Sequence, residues 1–491
     1  MTTPPHPPTP GSSLPPLAGG THGPDALRPL VATVLDALAS GAAERRGRPL
    51  PAGGPEATAA HVLAAATPVL PEHGAGAGEA LTALVHSMAA GAADPGHPLC
   101  AAHLHTPPLA VAVAADLAAS ALNQSLDSWD QAPAAAALEA LVTRALAAEV
   151  YRAATPGHAP SPDALVTTGG TESNQLALLL AREAHARTGG GVQVVTGEHT
   201  HHSVTRAAWL LGLPEPVTVP APGGTLDLAA LDDALTTLRG PLLVAATAGT
   251  TDTGAIDPLP AIADLCARHG ARFHVDAAYG APLLFSPRRA HLLDGLARAH
   301  TVTLDLHKLG WQPVAAGLLA VPDTTLLAPL EHTADYLNAD DDTEAGLPDL
   351  LGRSLRTTRR PDILKIAVTL RALGRTGLGA LVDHLCDSAQ ELAEAIAKHP
   401  RLELYETPTL TTVLFRPTGP GDTPLPDTTV AAVRRTLLTE GAAVLGRARA
   451  GGRLWLKTTL LNPHTTPDDL GALLTRVERL ADTLVEGSTP R

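Results

Sequence analysis

The sequence is short of aromatic side chains, of cysteine and of lysine, and each shortage removes a class of explanation. Phe, Trp and Tyr make up only 2% of the chain, so the interior has to be built from Ala and Leu on many helices rather than around large rings. The three cysteines, Cys100, Cys266 and Cys386, are widely spaced, odd in number and without a Cys-x-x-Cys pair. That suggests neither a disulfide framework nor a zinc ribbon, and it fits a reducing cytoplasm. Positive charge is scarce as well. A net charge of -14 argues against nucleic acid or an anionic membrane as main partner, while leaving a small cationic substrate open. No run is long and apolar enough to span a bilayer without interruption by polar residues or helix breakers. The opening MTTPPHPPTPGSSLPPLAGG has neither a basic start nor a continuous apolar stretch, so residues 1–24 read as a disordered Pro-rich tail rather than a signal peptide.

A chain of 491 residues predicts a large domain, a smaller one and an arm. Residues 25–95 hold three amphipathic helical patterns, DALRPLVATVLDALAS, ATAAHVLAAATPVL and GEALTALVHSMAAG, whose Ala-rich faces make a poor core of their own. They predict an arm that packs against something else, such as a second subunit. Within residues 96–375 the texture changes from about Ser161 onward to short β-branched runs (VQVVTG, PLLVAATAG, ARFHVDA, TVTLDL, AGLLAV) separated by the helices TESNQLALLLAREAHAR, HHSVTRAAWLLG and PLPAIADLCARHG. This alternation predicts an α/β sheet with crossover connections, whose ligands gather at the carboxyl ends of the strands. The acidic stretch from Glu331 to Pro361 is poorly periodic and predicts a mobile loop. Residues 376–491 alternate helices with the strand-like pieces LELYET, TTVLFRP and RLWLKTTLL, a smaller α+β domain.

Only four lysines, Lys308, Lys365, Lys398 and Lys457, stand against 31 arginines, so each has to be asked why it is not an arginine. Arginine cannot form a Schiff base at neutral pH, because its guanidinium stays protonated. Lys308 follows the strand TVTLDL and His307, at the site-forming end. A surface lysine in a turn is the default reading of an isolated His-Lys pair. What alters the balance is HVDAAYG one crossover earlier, where Asp276 ends a neighbouring strand and places a carboxylate on the same rim. Pyridoxal 5'-phosphate (PLP) needs this pair: an acid to keep the pyridine nitrogen protonated, and an amine to bind C4'. Alone, a carboxylate at a strand end is as readily a cap or a salt-bridge partner. In TTGGTESNQLALLL a strand ends and a helix opens over Thr168 to Thr171, so paired glycines, free N–H groups, a helix dipole and the Thr171 hydroxyl could receive a phosphate, or merely cap the helix. Glu198, His199, His201 and His202 of GEHTHHSV lie too close together to surround one metal ion, and no metal is expected. An imidazole stacked on a cofactor ring, with His201 the candidate, stands beside an ordinary histidine at a helix start.

Taken as a set, TTGGTESNQLALLLAR, HTHHSVTRA, TAGTTDTGAIDP, HVDAAYG and LDLHKLGWQP occur in an order and spacing that resemble the group II PLP-dependent decarboxylases, over roughly residues 95–470. The resemblance implies PLP fold type I and a homodimer with active sites at the interface. It implies Lys308 as the Schiff-base lysine, Asp276 as partner of the pyridine nitrogen, and Ala278 below the ring opposite His201. Gly170, Thr171 and His307 would hold the phosphate, with Asp305 near it, and Thr251 would lie near the ring hydroxyl. The stretches HLHTPP, SALNQSLDSWDQAP, DYLNADDD, SLRTTRRPD and LKTTLLNP look most like the diamine-forming branch, which acts on 2,4-diaminobutyrate, or on lysine or ornithine in siderophore pathways. Lys457 then falls where glutamate decarboxylases carry an arginine for the substrate carboxylate.

Two positions depart from the family pattern. Leu350 stands where the aromatic branch has a loop tyrosine thought to deliver a proton, which leaves His201, Tyr336 or a water for that task, or a different outcome. Asp305 replaces an asparagine of the aromatic branch and needs a compensating donor or a proton. Asp127 and Asp130 either meet a distal substrate ammonium or serve as helix caps or salt bridges to the arm. The alternatives are therefore an aromatic or acidic substrate, an oxygen-using aldehyde synthase or aminotransferase on the same fold, and a decayed paralogue kept as a structural subunit.

Overall fold

A computed structural model describes residues 14–152, 161–185, 191–332 and 334–486. The first 13 residues of the predicted tail, and the last two of the predicted helix ending at Arg187, therefore lie outside the described residues. Helices α1 (Gly23–Glu44), α2 (Gly54–Ala66) and α3 (Ala77–Gly91) come first, where the three amphipathic patterns stand. α1 differs from expectation in one respect: at 22 residues it is long and apolar enough, by length and composition, to cross a membrane. Arg28, Pro29 and Asp36 interrupt it, but Ala and Leu outweigh them, and its buried Ala37 and Gly41 face α3 so closely that a Cβ on Gly41 would lie 2.4 Å from the His86 carbonyl.

Helices α4 (Ala110–Leu122) and α5 (Pro133–Val150) lead into β1 (Asp163–Thr167) and α6 (Gly170–His185). The alternation then runs β2 (Gln193–Gly197), α7 (Ser203–Leu210), β3 (Val217–Val219), α8 (Leu228–Thr237), β4 (Leu242–Thr247), α9 (Leu259–His269), β5 (Arg272–Asp276), β6 (Thr301–Asp305) and β7 (Gly317–Val321). Seven strands form one sheet in the order β1-β7-β6-β5-β4-β2-β3. From β3 to β6 neighbours are parallel; β7 is antiparallel to both β6 and β1. Crossover helices cover both faces, so β1, β4, β6 and β7 are buried at every residue, including the threonines and aspartates of β1 and β6.

The acidic segment after β7 contains the short α10 (Asp340–Glu344) and otherwise turns. Its end, Arg353 and the SLRTTRRPD that follows it, works as a clamp. Arg353 pairs with Asp163 on β1, Arg356 with Glu172 on α6, Arg359 with Glu139 on α5, and Arg360 with Asp116 on α4. α11 (Ile363–Lys398) is broken at Gly374, where φ is 63° and ψ -179°. β8 (Leu402–Leu404), β9 (Thr412–Pro417), α12 (Asp427–Thr439), β10 (Gly446–Ala450), β11 (Arg453–Thr459) and α13 (Pro467–Glu486) follow. The four strands make an antiparallel sheet in the order β10-β11-β9-β8. One apolar core runs from Val244 and Phe273 in the large sheet through Ile363 and Leu385 to Phe415 and Leu456 in the small one.

Candidate active site

The register of the large sheet sets the rim. Thr247 pairs with Asp276, and Asp276 with Thr303, while the antiparallel β7 begins at Gly317 opposite both Asp305 and Thr167. The ends of β1, β4, β5 and β6 and the start of β7 therefore meet on one edge. Three residues past β6, Lys308 folds back so that its Nζ lies 2.9 Å from Asp305 Oδ2. A cavity of about 310 Å³ opens there, and its walls include all nine residues assigned to the cofactor from sequence: Gly170, Thr171, His201, Thr251, Asp276, Ala278, Asp305, His307 and Lys308. Asp276 and Lys308 thus share one compartment.

Lys457 stands one layer back. Its ammonium donates to the Thr251 carbonyl at 2.8 Å and lies 3.4 Å from Asp252, behind the wall rather than in it. Leu350 is buried in an apolar cluster with Leu126 and Ala132, and Tyr336 is 81% exposed. Asp127 is buried, with one carboxylate oxygen unpartnered among the described residues, whereas Asp130 accepts from Ser128 at 2.5 Å. The cluster Glu198, His199, His201 and His202 disperses. His199 pairs with buried Asp257 at 3.0 Å, His201 turns to the cavity, and no three potential ligands converge among the described residues.

Asp276 is held from two sides. The Ala278 amide donates to Oδ1 at 3.0 Å, and Asn174 Nδ2 donates to Oδ2 at 2.8 Å. Asn174, fully buried on α6, also donates to Ser203 Oγ at 2.9 Å, and its Oδ1 accepts from Thr303 Oγ1 at 2.8 Å and faces His274 Nε2 at 3.0 Å. Burial pushes the His274 imidazole down to about 4 against the pull of Asp276, so the ring is neutral at pH 7. His201 and His307 are lowered for the same first reason, burial, with Asp276 opposing it at His201 and Asp305 at His307. Sequence reasoning missed Asn174, Ser203, Thr247 and Leu104. For Asn174 a signal existed, since it interrupts the buried stripe Gly170, Ser173, Ala177 of an amphipathic helix with an amide.

The residues present fit PLP. A Cβ on Gly170 would lie 3.1 Å from Ala278 Cβ and 3.2 Å from Asp305 Oδ2, and one on Gly317 would lie 2.5 Å from Gly169 Cα, so bare backbone forms the turn into α6. Asp305 Oδ1 and His307 Nδ1 are buried beside it without partners among the described residues. Anion donors at a helix start, an amine and a carboxylate line one cavity, the set that a phosphate, an aldehyde and a pyridine nitrogen require.

Fold and site together define a PLP enzyme of fold type I. Residues 79–418 match the pattern of the pyridoxal-dependent decarboxylase conserved domain. The chain belongs to that family and is a PLP-dependent amino-acid decarboxylase. It is 42% identical to an L-2,4-diaminobutyrate decarboxylase of Rhizobium meliloti, over 84% of this chain and 83% of the relative. A second protein of that name, from Acinetobacter baumannii, is 33% identical over 80% and 82%. The crystal structure of the glutamate decarboxylase domain of a diaminobutyrate-pyruvate transaminase and L-2,4-diaminobutyrate decarboxylase from Vibrio parahaemolyticus superposes with a TM-score of 0.83 at 33% identity, covering 95% of this chain and 98% of that one.

Proposed function

We propose that the enzyme removes CO2 from an L-diamino acid, 2,4-diaminobutyrate before ornithine or lysine, and releases the diamine. The observation that carries this reading is that two relatives, each aligned over four-fifths of this chain, bear that substrate in their names. When bound, PLP supplies an electron sink for the pair left by the departing CO2. The chain's own groups divide the remaining work. Lys308 would hold the cofactor through Nζ, Asp276 would face its ring nitrogen, and His201 and Ala278 would take the two faces. Gly170, Thr171 and His307 would receive the phosphate, Thr251 would lie near the ring hydroxyl, and Asp305 would steady the Lys308 amine. Lys457, against Thr251, brings a positive charge next to the cavity for the substrate carboxylate.

Leu350 has no proton to give and Tyr336 is exposed to solvent, so His201, which lines the cavity, is the proton donor in this reading. A homodimer would cover Leu35, Leu63 and Met88 of the N-terminal helices and Leu70 between α2 and α3, which are largely exposed. Three free, buried cysteines suit a cytoplasmic location. The break at Gly374 falls where residues 96–375 give way to 376–491, and supports dividing the chain there, after a tail to residue 24 and an arm over 25–95.

A panel of 2,4-diaminobutyrate, ornithine, lysine, glutamate and aromatic amino acids, read as kcat/KM, tests the substrate. Preference for 2,4-diaminobutyrate is expected, and turnover of aromatic substrates alone would overturn the reading. CO2, amine, ammonia and peroxide measured in one incubation separate a simple decarboxylase, which forms CO2 and amine alone, from an aldehyde synthase or an aminotransferase.

A further inference from the structure

The hydrogen bonds behind His201 have a direction, and it can be followed from the bottom of the network upward. Asn174 could in principle be placed either way round. With its oxygen toward Asp276, two acceptors would be pressed together; with Nδ2 there, both amide protons find acceptors, Asp276 Oδ2 at 2.8 Å and Ser203 Oγ at 2.9 Å. The same placement gives Oδ1 the Thr303 hydroxyl at 2.8 Å and the neutral His274 ring at 3.0 Å. Ser203 Oγ therefore accepts from Asn174 and has its own proton to spend. Its neighbour is His201 Nδ1 at 2.8 Å, and the Ser203 backbone N–H approaches the same nitrogen at 3.3 Å. A backbone N–H can only donate. Nδ1 of His201 consequently carries a lone pair, and the ring proton of the neutral imidazole is on Nε2, which has no hydrogen-bond partner among the described residues.

We propose that Asn174 and Ser203 are positioning residues that lock His201 in the Nε2–H tautomer, so that a carboxylate which would face the cofactor nitrogen and the imidazole over its ring are set by one buried amide. This rests on the reading above of His201 as proton donor, for it supplies the reason that the proton stands on the free nitrogen. Asp276 cannot shift without moving Asn174, and Asn174 cannot turn without exposing Ser203 to a second acceptor. The neighbouring His202 ring, 4.2 Å away and tilted by 53°, packs on His201 without a hydrogen bond and does not choose its tautomer.

The test labels the imidazole nitrogens with 15N and records long-range 1H–15N correlations on the purified enzyme without substrate. With 22 histidines in the chain, the His201 signals are assigned by their loss in His201→Gln. The expected wild-type pattern is a protonated Nε2 and an unprotonated Nδ1. Ser203→Ala should move both signals toward a mixture of tautomers and lower kcat about tenfold with KM little changed. Ser203→Thr, which keeps the hydroxyl, should restore both. Asn174→Ala should mix the tautomers and also weaken cofactor retention, since Asp276 loses a donor. A wild-type signal with the proton on Nδ1, or a Ser203→Ala enzyme unchanged in spectrum and in kcat, would overturn the proposal. Inactivity toward every diamino acid with His201 still in the Nε2–H form would count against the substrate reading and leave the lock standing.

Discussion

Helices α1–α3 and the seven-stranded sheet draw on the same small aliphatic residues, yet they finish in opposite states. Strands β1, β4, β6 and β7 are buried at every position, while α2 buries none of its residues, and Leu63 on it and Val69 and Leu70 just past its end are largely open to solvent. Composition does not decide burial here; topology does. Each parallel connection returns a helix over the sheet, so the sheet covers itself within one chain. Three helices laid side by side have no such return, and their outer apolar face waits for another surface.

The sharpest way to test the self-sufficiency of the sheet is to damage its rim chemically and ask whether the rest notices. Lys308→Ala should abolish turnover and the borohydride-reducible cofactor chromophore together, while the melting temperature of the cofactor-free protein changes little. A cofactor-free protein that unfolds instead would show the rim to be part of the scaffold. Next in size is the buried bidentate pair of Arg359 and Glu139, with contacts of 2.9 and 3.0 Å. Arg359→Met leaves Glu139 buried without its partner and should cost on the order of 3–5 kcal/mol in denaturant unfolding.

The open helices make the converse prediction. Leu63→Glu on α2 should leave kcat per folded site within about twofold but weaken self-association by roughly tenfold or more, read by sedimentation at falling concentration. A variant as tightly assembled as wild type would rule out α2 as the contact of the proposed dimer. The smallest effect is electrostatic. Burial holds His274 and His300 down at about 4, well below the ordinary value, so the unfolded chain takes up protons first as pH falls. Their contribution to stability is complete above about pH 6.5 and is lost as pH drops toward 4, at on the order of 1 kcal/mol per pH unit per histidine. Melts at pH 7 and pH 5 should show a smaller drop for His300→Gln than for wild type.

Much of this was legible in the sequence for a physical reason: β-strand ends and helix starts are where chemistry has to stand in an α/β sheet, and Asp276, Lys308 and the Gly169–Gly170 turn all stand there. What escaped was lateral. Asn174 and Ser203 do their work across strands, and nothing in a linear pattern says that an amide on α6 reaches a carboxylate 102 residues later. Short strands were also invisible, β3 because three residues carry no period and β10 because GRARA alternates arginine with only glycine and alanine, side chains too small to mark a buried face. α1 misled in the other direction, since polar interruptions that rule out a bilayer span by eye do not lower its average enough.

The break in α11 has a consequence of its own. At Gly374 the backbone occupies a torsional basin that residues with a Cβ rarely adopt, so the turn between the two segments of α11 depends on the absence of a side chain there, while buried residues such as Val382 and Leu385 pack the second segment into the core. A methyl added at that one joint would strain the turn that leads on to the strand carrying Lys457. The placement of the charge behind the cavity wall is thus tied to an atom that is not there.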